Sequence, residues 1–244
     1  MQLTLVSHYG EKPSEFARLI TELQTSVSRC LRSFRCYEPR QVHGTLIGLE
    51  GVRMENGIRN ENFFRHRGET RPIEFSGLLT FLRHDFHGFE ICVGGFEAER
   101  DYGFTSRGQH PFVRSFTFQQ QMAVAMGWPT RGSAFSSELE EFRRGVQRFG
   151  VLHKWHRAPG EIDNDFFFVL GRSEDVIPEN TRRDVEQELR EQLRAREPLQ
   201  LPVNRQTISL VAYQDAQLTP ASSRIFRLTD ADLTPDALAA VYRE

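Results

Sequence analysis

A histidine and a threonine lie two positions apart in the otherwise largely apolar stretch QVHGTLIGLEG, residues 41–51. Because side chains of an extended chain alternate between two faces, His43 and Thr45 are expected to point the same way from a strand. An imidazole exchanges protons near neutral pH, and a hydroxyl can donate a hydrogen bond to an anionic oxygen. The pair therefore predicts either acid–base chemistry beside an anionic group or a partly buried strand histidine bonded to a carbonyl.

The elements that must position this pair alternate between strands and helices. Apolar runs predict strands, and apolar residues at helical spacing predict helices with one buried face. A capping box at Ser137 and Glu140 is expected to begin the second helix. We predict helices over 16–31, 137–150 and 181–195, and strands over 3–8, 42–50, 73–81, 89–97, 115–128, 166–171 and 206–214. The polar segment 52–71 and the C-terminal tail are predicted to be irregular.

The composition is that of an ordinary water-soluble globular protein. The chain has 244 residues, 39% of them hydrophobic and 26% charged, and its net charge of -2 predicts no general attraction to nucleic acid or to an anionic membrane. The three cysteines have no CxxC spacing, so neither a disulfide framework nor a cysteine zinc site is expected. No signal peptide or membrane span is evident, and we expect a cytoplasmic protein with a single α+β domain over residues 1–244.

Common catalytic motifs are absent from the sequence. It contains no GxxxxGK[ST] phosphate loop, no GxGxxG, no HExxH and no GxSxG. Nucleoside triphosphatases, dinucleotide-binding enzymes, zincins and hydrolases with a nucleophile elbow are therefore not indicated. Acid–base catalysis by histidine is the interpretation that remains.

The HGTL motif at 43–46 and the order of the elements resemble the 2H phosphoesterase superfamily. That family includes bacterial RNA 2',3'-cyclic phosphodiesterases and 2'-5' RNA ligases, and its hallmark is two His-x-Thr/Ser motifs on strands of two facing lobes. A βα unit precedes the motif here, and a closing apolar strand begins at ISLVAYQ. The resemblance implies a two-lobed α+β fold in which antiparallel sheets, flanked by helices, surround a central cleft.

The same resemblance implies a phosphodiesterase that hydrolyses a cyclic phosphate on an RNA end or in a small nucleotide. One histidine deprotonates water while another protonates the departing ribose oxygen, so neither a metal nor another cofactor is expected. His43 would be one of these histidines, and Thr45 would bind the phosphate. RNA or a nucleotide is the expected partner, no membrane association is expected, and protein partners are left open.

The second motif is not evident. Of the eight histidines, only His43 has a serine or threonine two positions later. If FFVLGR aligns with the second motif strand, Phe167 and Val169 occupy the histidine and hydroxyl positions. Alternatively His153 or His156 supplies the second imidazole.

In that second alignment, Arg172 or Lys154 replaces the missing hydroxyl as the phosphate ligand, and Arg114 is a further candidate for phosphate binding. Other interpretations stay open. His153 and His156 would be surface or helix-end residues, and Glu161, Asp163 and Asp165 would form a solvated turn and not a metal site. A relative with a decayed site would bind RNA or a nucleotide without turnover, or would act as a protein-interaction module.

Overall fold

The computed structural model describes residues 1–243. Within them lie thirteen strands and seven α-helices, together with a π-helical turn over Phe81–Asp85 and short 3-10 turns. The strands are β1 (Gln2–Ser7), β2 (Phe34–Cys36), β3 (Gly44–Gly48), β4 (Gly51–Met54), β5 (Gly57–Asn60), β6 (Phe89–Val93), β7 (Phe116–Gln119), β8 (Met122–Arg131), β9 (Ala134–Phe135), β10 (Phe166–Ser173), β11 (Leu199–Val203), β12 (Ile208–Tyr213) and β13 (Ser223–Arg227). The helices are α1 (Ser14–Cys30), α2 (Glu61–Arg67), α3 (Phe75–Thr80), α4 (Pro111–Ser115), α5 (Glu138–Gly145), α6 (Glu179–Arg194) and α7 (Pro235–Val241).

Two four-stranded antiparallel halves make up most of the main sheet. The order is β11-β6-β8-β10-β3-β1-β12-β13, with β2 beside β10 and with β7 and β9 beside β8. We call β3-β1-β12-β13 the first lobe and β11-β6-β8-β10 the second lobe. Between these two lobes the strand pairing consists of one residue pair, Gly44 of β3 with Phe168 of β10. The predicted α+β class, with antiparallel sheets flanked by helices, is confirmed.

The two long helices cover the sheet with their apolar faces. Helix α1 buries Phe16, Leu19, Ile20, Leu23 and Val27, and α6 buries Val185, Leu189 and Leu193, as the helical spacing of these residues predicts. The helices contact each other, and the ring of Phe16 lies edge-on to Phe168 at 4.8 Å between centroids. The core therefore lies directly behind the strand pair that joins the lobes. Among residues 1–243, every helix is too short or too polar to span a lipid bilayer.

The predicted strand over 73–81 is wrong. Helix α3 and the π-helical turn after it occupy this stretch and its continuation. Phe75, Leu78, Leu79 and Leu82 are buried, and their spacing of three and four positions is that of one helical face. The apolar run therefore has the periodicity of a helix, although its apolar composition indicated a strand.

Other differences concern connections and ends. The stretch 115–128 is a hairpin of β7 and β8, which turns at Gln120 with a φ of 58°. The polar segment and the tail contain β4, β5, α2, β13 and α7, and β11 was not predicted either. Helix α5 forms as expected, but Ser137 does not cap it with its side chain. Instead Asn164 Oδ1 accepts a hydrogen bond from the Glu140 amide at 3.1 Å.

The close packing at the junction of the lobes predicts that one added methyl group destabilises the protein. A Cβ at Gly44 would lie 2.2 Å from the ring of Phe166, which is fully buried and has no room to move. We expect Gly44→Ala to lower the free energy of unfolding by about 1–3 kcal/mol, the usual cost of overpacking. Gly160→Ala is the control, because nothing lies within 4 Å of a Cβ there. Urea unfolding measures both variants, and equal stabilities would contradict this description of the junction.

Candidate functional site

A cavity of about 310 Å³ lies beside the junction of β3 and β10, with walls from both lobes. We call it the cleft. Its lining includes groups that exchange protons, groups that bind anions, apolar side chains and one carboxylate. The members used below are His43, Thr45, Glu50, Asn62, Arg143, His153, Lys154, Phe167, Val169 and Tyr213.

His43 lies immediately before β3, and its ring is held in one orientation. Its Nδ1 lies 2.6 Å from the carbonyl of Gln41, and a carbonyl only accepts, so Nδ1 carries the proton. In the neutral ring Nε2 is then an unprotonated acceptor. Burial of the ring, aided by the charge of Lys12, lowers the pKa of His43 to about 4. At neutral pH His43 is therefore suited to accept a proton.

Thr45 lines the cleft two residues further along, as strand alternation predicts. Its backbone carbonyl accepts a hydrogen bond from Nη2 of Arg143 at 3.1 Å. No hydrogen bond joins its hydroxyl to another of the described residues. The hydroxyl is thus free to donate to a ligand oxygen.

The opposite strand carries no imidazole at the corresponding positions. The pairing of Gly44 with Phe168 places Thr45 across from Phe167, and His43 across from Val169. Phe167 and Val169 both line the cleft. The strand positions where the resemblance expects a second motif are therefore apolar.

His153 brings a second imidazole to the cleft from the loop between α5 and β10. It is only 2% exposed, and its Nε2 donates to Oδ2 of Asp163 at 2.7 Å. Its Nδ1 is buried and has no hydrogen-bond partner among residues 1–243. Burial, with the charge of Arg143, lowers the pKa of His153 to about 3. An oriented imidazole with one vacant ring nitrogen is a common form of catalytic acid or base, and leaving that nitrogen unpaired costs about 1–3 kcal/mol.

Arg143 of α5 connects the two imidazoles through the interior. Its side chain is fully buried. It donates to the carbonyls of Thr45 and Leu46 at 3.1 and 2.9 Å, and to Oδ2 of Asp163 at 3.2 Å. Burial alone would raise the pKa of Asp163, but the hydrogen bond from His153 and the charge of Arg143 outweigh it and lower the pKa to about 2. Asp163 therefore stays ionised behind His153.

Lys154 follows His153 and presents its ammonium group at the cleft. The Nζ atom lies 5.7 Å from the ring centre of Phe167 and 5.5 Å from that of Trp155. Partial removal from water lowers the pKa of Lys154, and the charges of Glu50 and Asp163 oppose this effect. Of the residues predicted to bind the phosphate, Thr45 and Lys154 line the cleft. The ammonium group of Lys154 is exposed to solvent.

Three other candidates from the sequence lie outside the cleft. His156 is fully buried, and its Nε2 donates to Oε2 of Glu140 at 2.8 Å. Arg114 is buried against Asp165 at 3.3 Å. Arg172 is exposed and donates to the side chain of Gln121 at 3.0 Å.

Two sequence interpretations are corrected here. His153 and His156 are not surface residues, because their hydrogen bonds with carboxylates make burial of the rings possible. Asp163 and Asp165 do not form a solvated turn, since both are buried beside arginines. Within the described part of the chain, no group of three or more histidine, cysteine or carboxylate side chains is arranged to hold a metal ion.

Sequence reasoning also missed Arg143, Glu50 and the Asp163–His153 pair. A signal for Arg143 was present. It lies four positions after Leu139 and next to Phe142, on the apolar side of an amphipathic helix. An arginine at such a position is buried only with partners, so it indicates an internal carboxylate.

No family model and no curated protein matches the sequence. Three solved structures are similar to the chain over most of its length. TT0787 of Thermus thermophilus is 17% identical, with 93% of this chain and 94% of that chain covered and a TM-score of 0.42. The apo form of E. coli LigT is 12% identical, with 92% of each chain covered and a TM-score of 0.39.

The third structure is a phosphoesterase, which is 13% identical, with 92% of this chain and 93% of that chain covered and a TM-score of 0.39. LigT has also been solved with phosphate and with NADP+. At identities and TM-scores this low, these similarities assign no activity to this chain.

The depressed histidine pKa values predict a pH-dependent stability. In the folded protein the pKa is about 4 for His43 and about 3 for His153, against an ordinary 6.5. Below about pH 6.5 the unfolded chain therefore binds protons that the folded protein does not, and the free energy of unfolding falls as the pH drops from about 6.5 towards 4. Urea unfolding at several pH values measures this decline.

The His153→Gln variant should decline less steeply over the same range, because one of these groups is removed. His87→Ala, which removes an exposed histidine, should follow the wild type. A wild-type stability that does not change between about pH 7 and 4.5 would contradict the buried, neutral state of these imidazoles.

Proposed function

We propose that this protein is a phosphodiesterase of the 2H type that opens a cyclic phosphate on an RNA end or in a small nucleotide. The observation that supports it is one cleft lined by two imidazoles, each oriented through its other ring nitrogen. His43 is held by the carbonyl of Gln41, and His153 is held by Asp163. Thr45 and Lys154 line the same cleft and supply a hydroxyl and a cation for the phosphate.

In the proposed reaction Nε2 of His43 takes a proton from water, and the resulting hydroxide attacks phosphorus. The bond from phosphorus to one ribose oxygen breaks, and that oxygen takes a proton from Nδ1 of His153. An anionic phosphate raises the pKa of a neighbouring imidazole, so substrate binding allows His153 to become protonated. Asp163 then stabilises the imidazolium through Nε2.

Negative charge accumulates on the phosphate oxygens during attack. The hydroxyl of Thr45 donates a hydrogen bond to one of these oxygens, and the ammonium of Lys154 neutralises part of the charge. Both groups lie on protein elements that are already in place: β3 for Thr45, and the loop anchored by the buried His153 for Lys154. They are consequently preorganised for the anion.

A second candidate function is binding without turnover. It is favoured by Phe167 and Val169, which occupy the strand positions opposite Thr45 and His43 and exchange no protons. It is also favoured by the burial of Nδ1 of His153, which the substrate must reach for transfer to occur. A nucleotide would then bind with its phosphate at Lys154 and Thr45, and the protein would release it unchanged.

Kinetic measurements on nucleoside 2',3'-cyclic phosphates distinguish the two candidates. Turnover by the wild type, with kcat/KM reduced at least about 100-fold in both His43→Ala and His153→Ala, is the expected result for two proton-transfer groups. His87→Ala, with an exposed histidine removed, should be unchanged. Calorimetric binding of the same compounds with no turnover at any pH would establish the second candidate and overturn the first.

The pH dependence of the rate provides an independent test. In the free enzyme the pKa is about 4 for His43, the proposed base, and about 3 for His153, the proposed acid. Because kcat/KM reports the free enzyme, it follows the fraction in which His43 is neutral and His153 is protonated. We expect kcat/KM to decline steadily as the pH rises above about 4, with no limb near 6.5. A limb at an ordinary histidine pKa would mean that another group carries one of the two proton transfers.

A further inference from the structure

Glu50 places a carboxylate in the cleft two residues beyond Gly48, where β3 ends. Along β3 and just beyond it, His43, Thr45, Gly48 and Glu50 line the cleft in sequence order. A carboxylate repels a phosphate, so its presence in this cleft opposes the binding that the other groups favour. The Glu50 carboxylate is therefore expected to have a role other than anion binding.

The carboxylate is folded back over the strand and held there. The hydroxyl of Tyr213 donates to Oε1 at 2.9 Å. A Cβ on Gly48 would lie 2.2 Å from Oε2, so only glycine at this position leaves the space that the carboxylate occupies. Two separate features of the sequence therefore fix the same rotamer of Glu50.

Besides the ammonium of Lys154, on which the charge of Glu50 acts, this part of the cleft has free acceptor atoms. Oε2 of Glu50 forms no hydrogen bond with another of the described residues. Nδ2 of Asn62 donates to the carbonyl of Leu152 at 3.2 Å, which leaves Oδ1 of Asn62 as an available acceptor. Phe167, the cross-strand neighbour of Thr45, adds an aromatic surface to the lining. Such a site fits a flat group that carries hydrogen-bond donors on one edge.

We infer that Glu50 is a specificity residue that accepts hydrogen bonds from a guanine base, whose phosphate lies at Thr45 and whose ring stacks on Phe167. Guanine presents N1–H and the exocyclic amino group side by side, which match the free Oε2 and the second lone pair of Oε1 on one carboxylate. Adenine and cytosine each place an acceptor nitrogen beside their amino group, and uracil has one N–H between two carbonyls. This inference rests on the proposed function, since it takes the phosphate position from it.

The dimensions are compatible with one nucleotide. Three residue steps along the strand separate Thr45 from Gly48, which corresponds to roughly 10 Å at about 3.3 Å per residue. The Glu50 carboxylate lies against Gly48. This is about the reach of a nucleotide from its phosphate to the far edge of its base.

Calorimetry with guanosine, adenosine and cytidine 3'-monophosphates tests the inference without turnover. The wild type should bind the guanosine compound about 10-fold or more tightly than the other two, the discrimination usual for a two-donor contact to a base. Glu50→Gln keeps the size of the side chain but turns an amide N–H₂ towards the donors, so it should abolish the preference. Glu90→Gln, on an exposed position of β6, is the control and should keep it.

Equal affinities in the wild type, an unchanged preference in Glu50→Gln, or no binding of any of the three compounds would each overturn the inference. Turnover is measured separately on the matching 2',3'-cyclic phosphates. Hydrolysis without base preference would leave the proposed function standing and remove the role of Glu50. A guanine preference in binding without hydrolysis would support the role of Glu50 and remove the proposed catalysis.

Discussion

The buried guanidinium of Arg143 is the interaction on which the arrangement of the cleft depends. It binds backbone carbonyls of Thr45 and Leu46 on one side, and the carboxylate of Asp163 on the other. A charge this far from water is tolerated only when it is paired and fully hydrogen-bonded, and removing one partner usually costs about 3–5 kcal/mol. The geometry of the donors therefore holds β3 and the segment before β10 at one separation, although only one residue pair joins the two strands.

This internal ion pair also determines the charge state of the cleft. Arg143 keeps Asp163 ionised, and Asp163 in turn fixes the tautomer of His153. Burial, together with the nearby positive charge of Arg143, lowers the pKa of His153, and burial, together with Lys12, has the same effect on His43. Both imidazoles are consequently neutral in the free protein. His153 must therefore take up from solvent, when the anion binds, the proton that it gives to the leaving group, which makes binding and protonation interdependent in the proposed mechanism.

The two lobes contribute to the cleft in different ways. The first lobe presents His43 and Thr45 directly from a strand. In the second lobe the corresponding strand positions are Phe167 and Val169, and the imidazole comes from the preceding loop. The apolar strand residues then form a surface for a flat group, beside the acceptors at Glu50. A cleft that is polar along one strand and aromatic along the other is suited to a ligand with a charged end and a ring.

Features that depend on short-range periodicity could be predicted from the sequence. His43 and Thr45 share a face because strand side chains alternate, and α1 and α6 form because their apolar residues repeat at helical spacing. That His153 lines the cleft, and not His156 three positions later in the same loop, depends on the tertiary structure. Their burial depends on which carboxylate each meets, and Asp163 and Glu140 are brought there by long-range packing. The position of the Glu50 carboxylate was equally unpredictable, because it depends on Tyr213, which lies 163 residues further along the chain.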